Sequence, residues 1–136
     1  MDCIFCGIIK GNVPSYTIYE DDMFNVFLDI YPAALGHALI VPKEHCVDIF
    51  DLPHQYASQM LPVAQKIANA MKDSLGCDGI NILQNNGRAA GQAVFHYHMH
   101  LIPRYSNDNT KVGWVTISPS DDELKTTHKK LKTRIG

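Results

Sequence analysis

Short runs of alternating apolar and polar residues predict five β-strands in this chain. The runs are rich in β-branched and aromatic residues and are bounded by proline, glycine or acidic residues, which is typical of strands joined by turns. The predicted strands span residues 16–21, 23–29, 37–42, 79–85 and 94–103. Asp21 and Asp22 fit a tight turn between the first two strands, and Pro42 ends the third.

A different period predicts one long helix over residues 52–76. Apolar residues recur there at i, i+3 and i+4, which places them on one face of an α-helix. They are Ala57, Met60, Leu61, Ala64, Ile67, Ala68, Met71 and Leu75. Gly76 fits the C-terminal cap of this helix, and Pro62 predicts either a kink or a late start. Residues 3–11 predict a short N-terminal helix that ends at a glycine.

The order of these elements predicts an α+β fold. Three strands, a helix and two more strands indicate a five-stranded antiparallel sheet with one long helix and a short N-terminal helix. The sheet and these helices occupy residues 1–105, and residues 106–136 form a C-terminal tail of the same domain. The tail contains a possible short strand over 112–117 and a terminal helix over 120–135.

The charge balance excludes two classes of partner. The 136 residues carry a formal net charge of −2, which offers no basic surface to nucleic acid or to an anionic membrane. No apolar run approaches the roughly 20 residues that span a bilayer. The N-terminal Met1-Asp2-Cys3 is acidic and lacks the basic and apolar regions of a signal peptide, so we expect a cytoplasmic protein.

Three of the seven histidines occupy every second position of the fifth predicted strand. Because side chains alternate across a strand, His96, His98 and His100 share one face. The opposite face is apolar, and we expect it to contact the core; it consists of Phe95, Tyr97, Met99 and Leu101. Neighbouring imidazoles repel one another when charged, so the row brings no stability and indicates a functional site.

Two kinds of chemistry remain open from these residues alone. Imidazole is the most common metal ligand, and alternating histidines on a strand can hold a catalytic zinc. Imidazole is also a nucleophile and a proton-transfer group near neutral pH. A glycine-rich loop over 86–92, together with the amides of Asn85 and Gln92, offers hydrogen bonds to a phosphate. Residues 79–107 contain no acidic side chain to complete a catalytic metal site, which favours nucleophilic attack on phosphorus.

A second candidate site lies at the N-terminus. Cys3 and Cys6 have the spacing of half a structural zinc site. Two further ligands are needed to complete such a site. A pair of reduced cysteines with no metal is the alternative.

The segment from His96 to Ile102 resembles the alternating histidine signature of the histidine triad (HIT) family of nucleotide-binding proteins. The resemblance extends to Phe27–Ile30, Gly36–His45 and Asn85–Val94 and covers about residues 3–105. It is closest to the small, Hint-like branch of the family. Residues 1–105 would then be the HIT domain.

The resemblance implies a covalent mechanism. His98, the middle histidine, would attack the α-phosphorus of a nucleotide and form a nucleotidyl-imidazole intermediate that water resolves. A backbone carbonyl of the same strand would hold the other ring nitrogen. His100 would contact the phosphate or the leaving group, and His37 would complete the cluster from the third strand.

The resemblance also implies positions that bind the nucleotide. Asp29 would accept hydrogen bonds from ribose hydroxyls, whereas Asn85, Gln92 and the backbone of Ala93 would hold phosphate oxygens and the leaving group. An apolar slot for the base would consist of Ile4, Phe5, Ile8, Phe27 and Ile30. Many relatives carry Ser or Thr at the position of Ala93, so this chain lacks a hydroxyl near the leaving group.

Many bacterial relatives complete the cysteine pair with two histidines. The resemblance therefore implies a structural zinc held by Cys3, Cys6, His45 and His96. His96 would serve the metal rather than the chemistry, and the zinc would tie the N-terminal turn to the sheet. No organic cofactor is expected.

These implications lead to one main function and several alternatives. The main hypothesis is a homodimeric hydrolase, with one ten-stranded sheet across the dimer, that acts on purine nucleoside 5′-phosphoramidates or on acyl- or aminoacyl-adenylates. Derivatives of AMP or GMP would be its partners. The alternatives are a regulatory nucleotide-binding protein with residual turnover, a dinucleoside polyphosphate hydrolase, and a zinc hydrolase with the triad as metal ligands.

Overall fold

The computed structural model describes residues 3–136, so the first two residues of the predicted domain 1–105 lie outside the described part. The helices of the described chain are α1 (Ile4–Ile9), α2 (His54–Leu75) and α3 (Asp121–Ile135), and a single 3₁₀ turn spans Arg88–Ala90. The strands are β1 (Thr17–Glu20), β2 (Phe24–Leu28), β3 (Ala38–Pro42), β4 (Gly79–Leu83) and β5 (Met99–Arg104). The predicted α+β class is therefore confirmed.

The five strands form one antiparallel sheet in the order β1-β2-β3-β5-β4. The last strand in the sequence therefore lies between β3 and β4. The pairing of β3 with β5 runs from Ala38 opposite Leu101 to Ile40 opposite Met99. This crossing brings the histidine-rich segment next to the strand that follows His37.

The long helix α2 covers one face of the sheet. Its buried side chains are Tyr56, Met60, Val63, Ala64, Ile67 and Met71, and they pack on Phe24, Val26, Ile40 and Leu101. Gly76 has φ 62° and caps the helix by donating its N–H to the carbonyl of Lys72, as predicted. The helix begins at His54 and continues through Pro62, so the alternative of a late start is wrong. Ala57, Leu61 and Leu75 of the predicted apolar face are exposed, whereas Tyr56 and Val63 are buried.

The fifth strand is shorter than predicted. Residues 94–98 pair with no strand, and the ladder begins only at Met99. Tyr97, Met99 and Leu101 are buried in the core under α2, as expected. Phe95 is exposed instead, and the Cζ atom of Arg88 lies over its ring, 5.3 Å from the ring centre. The prediction for Phe95 is wrong because its segment is not extended in the sheet, so strict alternation does not reach it.

The C-terminal tail contains a helix but no strand. Residues 108–120 form neither helix nor ladder, so the possible strand over 112–117 is wrong. The apolar side chains there have no pairing partner strand in the described sheet. The terminal helix is confirmed as α3, and Ser120 and Glu123 form a reciprocal capping box at its start. None of the helices in residues 3–136 combines the length and the apolar content that a transmembrane helix requires.

Candidate active site

The second face of the sheet carries α1 and a smaller apolar cluster. Phe5 of α1 packs edge-on against Phe27 of β2, with ring centres 5.3 Å apart. Leu39 and Val41 of β3 complete the buried part of this cluster. The large apolar cluster lies under α2 and the small one lies beside α1, on the other face of the sheet. The short helix α1 covers that second face only in part, so a cleft can form there.

A cavity of about 360 Å³ opens between α1, the ends of β2 and β3, and the segment that leads into β5. Its size falls in the range of small-ligand sites. Its lining residues are Ile4, Phe5, Ile8, Val13, Pro14, Ser15, Phe27, Leu28, Asp29, Ile30, Tyr31, Leu39, Ala93, Val94, His98 and His100. The walls are therefore mostly apolar, and the imidazoles and one carboxylate provide the polar groups.

The ring of His98 is held in one tautomer. Its Nδ1 lies 2.7 Å from the backbone carbonyl of His96. A carbonyl can only accept, so Nδ1 carries the proton and Nε2 keeps its lone pair. No hydrogen bond to Nε2 occurs within residues 3–136, and His98 lines the cavity. The predicted backbone acceptor is thus present, and the free nitrogen is available to a ligand.

A chain of two hydrogen bonds fixes the proton of His100 as well. The backbone N–H of Ala33 donates to Nδ1 of His37 over 3.0 Å. Nε2 of His37 must then carry the ring proton, and it donates to Nδ1 of His100 over 2.9 Å. The remaining nitrogen of His100, Nε2, is therefore a donor. His98 and His100 present opposite functions, with their ring centres 5.0 Å apart.

Burial keeps these rings neutral. Desolvation lowers the pKa of His37 and of His98 below the ordinary histidine value. For His100, desolvation and the neighbouring His98 and His37 lower the pKa to about 4. Asp29 opposes the shift at each of the three rings without cancelling it. Near neutral pH the three imidazoles therefore keep the lone pair and the donors described above. We call His37, His98 and His100 the histidine cluster.

The carboxylate of Asp29 marks the polar rim of the cavity. One oxygen accepts the backbone N–H of Tyr31 over 2.9 Å, and the other lies 3.6 Å from Nε2 of His37. The side chain is only partly buried. The oxygen that does not accept from Tyr31, Oδ2, can therefore also accept hydrogen bonds from a ligand.

Two of the predicted phosphate-binding residues lie away from the cavity lining. The side chain of Gln92 is buried, accepts the N–H of Gly87 and donates to the carbonyls of Val47 and Val94. Its amide thus holds the glycine-rich loop. Asn85 is partly buried behind the same loop, where a Cβ on Gly91 would stand 3.7 Å from its Nδ2.

The other predicted binding residues line the cavity directly: Ile4, Phe5, Ile8, Phe27, Asp29, Ile30 and Ala93. The cavity is also lined by residues that the sequence pattern did not indicate: Val13, Pro14, Ser15, Leu28, Tyr31, Leu39 and Val94. A signal for Leu39 existed, since alternation along β3 places it on the face of Phe27. No side-chain pattern could reveal the backbone N–H of Ala33, which sets the proton of His37.

Four sulfur and nitrogen atoms converge beside α1. Cys3, Cys6, His45 and His96 each direct one ligand atom into a group within which no two atoms are more than 4.8 Å apart. We call these residues the Cys/His cluster. The Sγ of Cys6 lies 3.3 Å from Nδ1 of His45 and 3.5 Å from Nδ1 of His96, and the two nitrogens are 3.1 Å apart.

The geometry of the Cys/His cluster fits a tetrahedral metal ion. Ordinary zinc–sulfur and zinc–nitrogen bonds predict edges of about 3.6 Å between sulfur and nitrogen and about 3.3 Å between nitrogens. His96 donates its Nε2–H to the carbonyl of Pro42 over 2.8 Å, so its Nδ1 meets the cluster with a lone pair. Two thiols and two imidazoles are also the donors that zinc prefers.

A second group of possible ligands, Asp29, His37 and His100, fits a metal less well. Nε2 of His37 carries a proton because its Nδ1 accepts from Ala33. That proton bridges the 2.9 Å to His100, which leaves no converging lone pairs. The zinc hydrolase built on the triad therefore lacks support from this geometry.

The sheet, the short helix over the cleft and the histidine cluster define the histidine triad class of proteins. The sequence profile of the HIT domain matches residues 10–107, and the chain belongs to the HIT family.

Comparison with known proteins agrees along almost the whole chain. The adenosine 5′-monophosphoramidase HNT1 of Saccharomyces cerevisiae is 42% identical over 134 residues, which cover 98% of this chain and 82% of the relative. A crystal structure of a HIT family member from Bacillus subtilis superposes with a TM-score of 0.91 at 39% identity and covers 100% of this chain and 99% of that one. A zinc-bound histidine triad protein from Mycobacterium smegmatis gives a TM-score of 0.78 at 39% identity, with 98% of each chain covered.

Proposed function

We propose that this protein is a nucleotidyl hydrolase that cleaves purine nucleoside 5′-phosphoramidates through a covalent intermediate on His98. At the family level it is a hydrolase of nucleotide P–N bonds, as its phosphoramidase relatives are. The observation that carries the covalent mechanism is the 2.7 Å bond from Nδ1 of His98 to a backbone carbonyl. Acyl- and aminoacyl-adenylates are alternative substrates of the same chemistry.

The attack uses the free lone pair of His98. Nε2 forms a bond to the α-phosphorus, and the bond from phosphorus to nitrogen breaks. The leaving nitrogen keeps the bonding electron pair, takes up a proton from solvent and departs as the neutral amine. The ring gains positive charge in this step, and the carbonyl of His96 stabilises that charge through the Nδ1–H. Water then attacks phosphorus, displaces Nε2 with its lone pair, loses a proton to solvent and becomes an oxygen of the released nucleoside monophosphate.

His100 supports the phosphoryl group rather than the attack. Its Nε2–H can donate to a phosphoryl oxygen, because His37 occupies its Nδ1. A fixed donor in a buried cleft stabilises the charge that develops on that oxygen. Ala93 lies at the cavity wall, and its backbone N–H would be a further donor for the same group.

The apolar part of the cavity provides a slot for the base. Phe5, Phe27 and Leu39 form its inner wall, and Ile4 and Ile30 lie at its exposed rim. Asp29 lines the same cavity and lies 3.6 Å from Nε2 of His37, where ribose hydroxyls of a nucleotide would reach it. Apolar walls do not distinguish one purine from another, so both AMP and GMP derivatives fit.

The Cys/His cluster is the proposed site of a structural zinc. Four protein ligands close a tetrahedral site and leave no position for substrate, which is typical of structural sites. When bound, the zinc would join Cys3 and Cys6 of the N-terminal turn to His45 and His96. The zinc-bound relative from Mycobacterium smegmatis supports this proposal.

We also propose a homodimer with a continuous ten-stranded sheet. β4 is an edge strand, and its Ile82 is exposed. Together with Leu61 and Ala68 of α2, Ile82 lines an apolar groove of about 480 Å³. An unpaired edge beside an apolar helix face suits pairing with a second copy. Sedimentation of the wild type and of Ile82→Lys tests this, since the lysine should give monomers.

The cytoplasm remains the proposed location. Cys3 and Cys6 must be reduced to bind a metal, and a reducing compartment keeps them so. Fractionation of the source cells with a tagged chain would test this location.

Rapid-quench mass spectrometry tests the proposed mechanism. The protein is mixed with adenosine 5′-phosphoramidate, quenched in alkali within milliseconds, digested and analysed for an adenylyl group. We expect the group on the peptide that contains His98, and its loss in His98→Ala. Turnover without any adduct would contradict the covalent mechanism. Binding of AMP without turnover would favour a regulatory nucleotide-binding protein. Faster turnover of a dinucleoside polyphosphate than of the phosphoramidate would favour a dinucleoside polyphosphate hydrolase.

A further inference from the structure

We propose that the Cys/His cluster positions the nucleophile, because His96 belongs to both sites. This inference rests on the proposed roles of His98 and of the zinc, and it assigns to His96 a second task. Its side chain binds the metal, whereas its backbone carbonyl holds the nucleophilic ring. His96 is thus a positioning residue, and metal binding and nucleotide chemistry are coupled through it.

The side chain of His96 is fixed at both nitrogens. Nε2 donates to the carbonyl of Pro42 over 2.8 Å, and Nδ1 lies 3.4 Å from Sγ of Cys3 and 3.5 Å from Sγ of Cys6. The ring is fully buried. A metal bond at Nδ1 would therefore fix the ring, the backbone of His96 and the carbonyl that accepts from His98.

The sheet does not hold this part of the backbone. The ladder of β5 begins at Met99, so residues 94–98 have no strand partner. The backbone N–H of Tyr97 instead donates to the carbonyl of Cys46 over 2.7 Å. Cys46 directly follows His45, which is another member of the Cys/His cluster. Tyr97 likewise follows His96, so each partner of this hydrogen bond is next to a member of the Cys/His cluster. The cluster can therefore hold the backbone here in place of ladder hydrogen bonds.

The same cluster also holds the wall of the base slot. Cys3 is the N-cap of α1, and its Sγ accepts the N–H of Cys6. Ile4, Phe5 and Ile8 of that helix line the cavity. The ring of Phe5 stands edge-on at 5.2 Å from His98. Release of the two thiols would loosen both the slot and the contact with the nucleophile.

Loss of the metal should therefore affect nucleotide binding and chemistry in a folded protein. A displacement of about 1 Å at a nucleophile costs roughly 100-fold in rate, so we expect single-turnover adenylylation to slow by about that factor. The affinity for AMP should fall by about tenfold as the slot loosens. The carbonyl of His96 would no longer be fixed, and His98 would exchange between its two tautomers.

Imidazole ¹⁵N NMR of the full chain tests the coupling without turnover. In the zinc-loaded protein, His98 should give one protonated Nδ1 and one unprotonated Nε2. After chelation with a competing ligand, the two resonances should move towards their average, and AMP titrations should show the weaker binding. Cys77→Ser, a buried cysteine outside the cluster, is the matched control and should behave as wild type. A folded zinc-free protein with unchanged His98 resonances and AMP affinity would overturn the proposal.

A second measurement covers the case in which the zinc-free protein unfolds. We expect the protein loaded with ¹¹³Cd to remain folded, since the same four ligands would bind it, and the larger ion to shift the His96 ring. We expect the His98 resonances to differ between the zinc and cadmium forms, and the ¹¹³Cd resonance to move when AMP binds, since coupling between two sites is reciprocal. Cadmium and His98 resonances that do not respond would overturn the inference.

These readouts separate the inference from the proposed function. If the zinc-loaded protein forms no adduct on His98 but its tautomer follows the metal, the coupling holds and the covalent mechanism fails. If the adduct forms at the same rate with and without zinc, the mechanism holds and the coupling fails.

Discussion

The Cys/His cluster and the histidine cluster use the same imidazole group in opposite ways. In the Cys/His cluster, His96 donates a hydrogen bond from Nε2–H to the carbonyl of Pro42, so the lone pair on Nδ1 points to the same place as the other possible ligand atoms. In the histidine cluster, the N–H of Ala33 forces His37 to donate to His100, so a proton lies between the rings. One arrangement favours a cation, whereas the other excludes it and leaves a donor and an acceptor for phosphate.

The contrast between the two clusters shows that backbone groups determine the tautomer of each histidine. A carbonyl facing Nε2 leaves the Nδ1 lone pair of His96 for the proposed metal. A carbonyl facing Nδ1 leaves the Nε2 lone pair of His98 for the proposed attack, and an N–H facing Nδ1 makes His37 a donor. Two of these three assignments meet at His96, through its ring and through its own carbonyl.

The largest effect should come from His98→Ala. Loss of the nucleophile should lower kcat with adenosine 5′-phosphoramidate by on the order of 10⁴-fold or more. The affinity for AMP should change only slightly, because the slot and Asp29 remain. Steady-state kinetics and calorimetric AMP titrations measure the two quantities, with the exposed His128→Ala as control. A His98→Ala enzyme with a tenth of the wild-type rate would show that another group attacks phosphorus.

Substitution of a residue in the Cys/His cluster should lower the stability of the protein. Cys6→Ala removes one of the four proposed zinc ligands, and the resulting loss of metal should lower the free energy of unfolding by about 4 kcal/mol or more. Denaturant titration and metal analysis of the purified protein measure this. Cys77→Ser removes a thiol outside the cluster and should retain the metal at a cost of about 1 kcal/mol. Full metal content and wild-type stability in Cys6→Ala would refute the zinc site.

The hydrogen-bond relay predicts a smaller loss of rate in His37→Ala. Without a donor at its Nδ1, His100 can place its proton there and present a lone pair to the phosphoryl oxygen. We expect kcat to fall by about 10- to 100-fold with little change in KM. His37→Gln, whose amide can donate to the same nitrogen, should recover part of the rate. Equal losses in the two variants would argue against the relay.

Much of the fold could be predicted because it depends on local patterns. The period of α2, its glycine cap and the alternation of β2 and β3 are visible in the sequence. The start of β5 was not, because residues 94–98 alternate like a strand while side chains and the Cys/His cluster hold them. Alternation reports which faces are apolar and says nothing about whether a partner strand is within reach.

The candidate site shows the same division. The spacing of Cys3 and Cys6 and the row of histidines indicate residue types that bind metals or phosphate. Gln92 was expected at the phosphate, yet its amide faces backbone groups of its own loop and of Val47. A sequence names an amide next to a glycine-rich loop but does not give its direction. The tautomers depend on which backbone groups face the histidines. Since almost every residue has the same N–H and carbonyl, the sequence does not show which of them does so.

The low pKa of His100 predicts a pH effect on stability. Its folded pKa of about 4 lies below its ordinary value of 6.5, so between these values the unfolded chain binds a proton that the folded protein does not. Stability should fall as pH drops from 6.5 towards 4. His100→Gln removes this contribution, so its unfolding free energy should fall less steeply, by at most about 1.4 kcal/mol per pH unit.

Denaturant titrations of both proteins between those pH values measure the difference. Both carry the same Cys/His cluster, so acid release of a metal cancels in the comparison. Parallel curves would mean that His100 is protonated as readily in the folded protein as in the unfolded chain. The histidine cluster would then be charged and would resemble an ion pair with Asp29 more than a neutral relay.

The smallest effect concerns Ala93, which lies at the cavity wall with His98 and His100. Ala93→Thr adds a hydroxyl that can donate to the leaving group, and one neutral hydrogen bond is worth about 1 kcal/mol, or roughly fivefold in rate. We therefore expect kcat for phosphoramidates to rise by about that factor in Ala93→Thr. Ala93→Val has the same shape without the hydroxyl and should show no gain. A gain of equal size in Val would mean that packing at the wall, rather than a hydrogen bond, limits the departure of the amine.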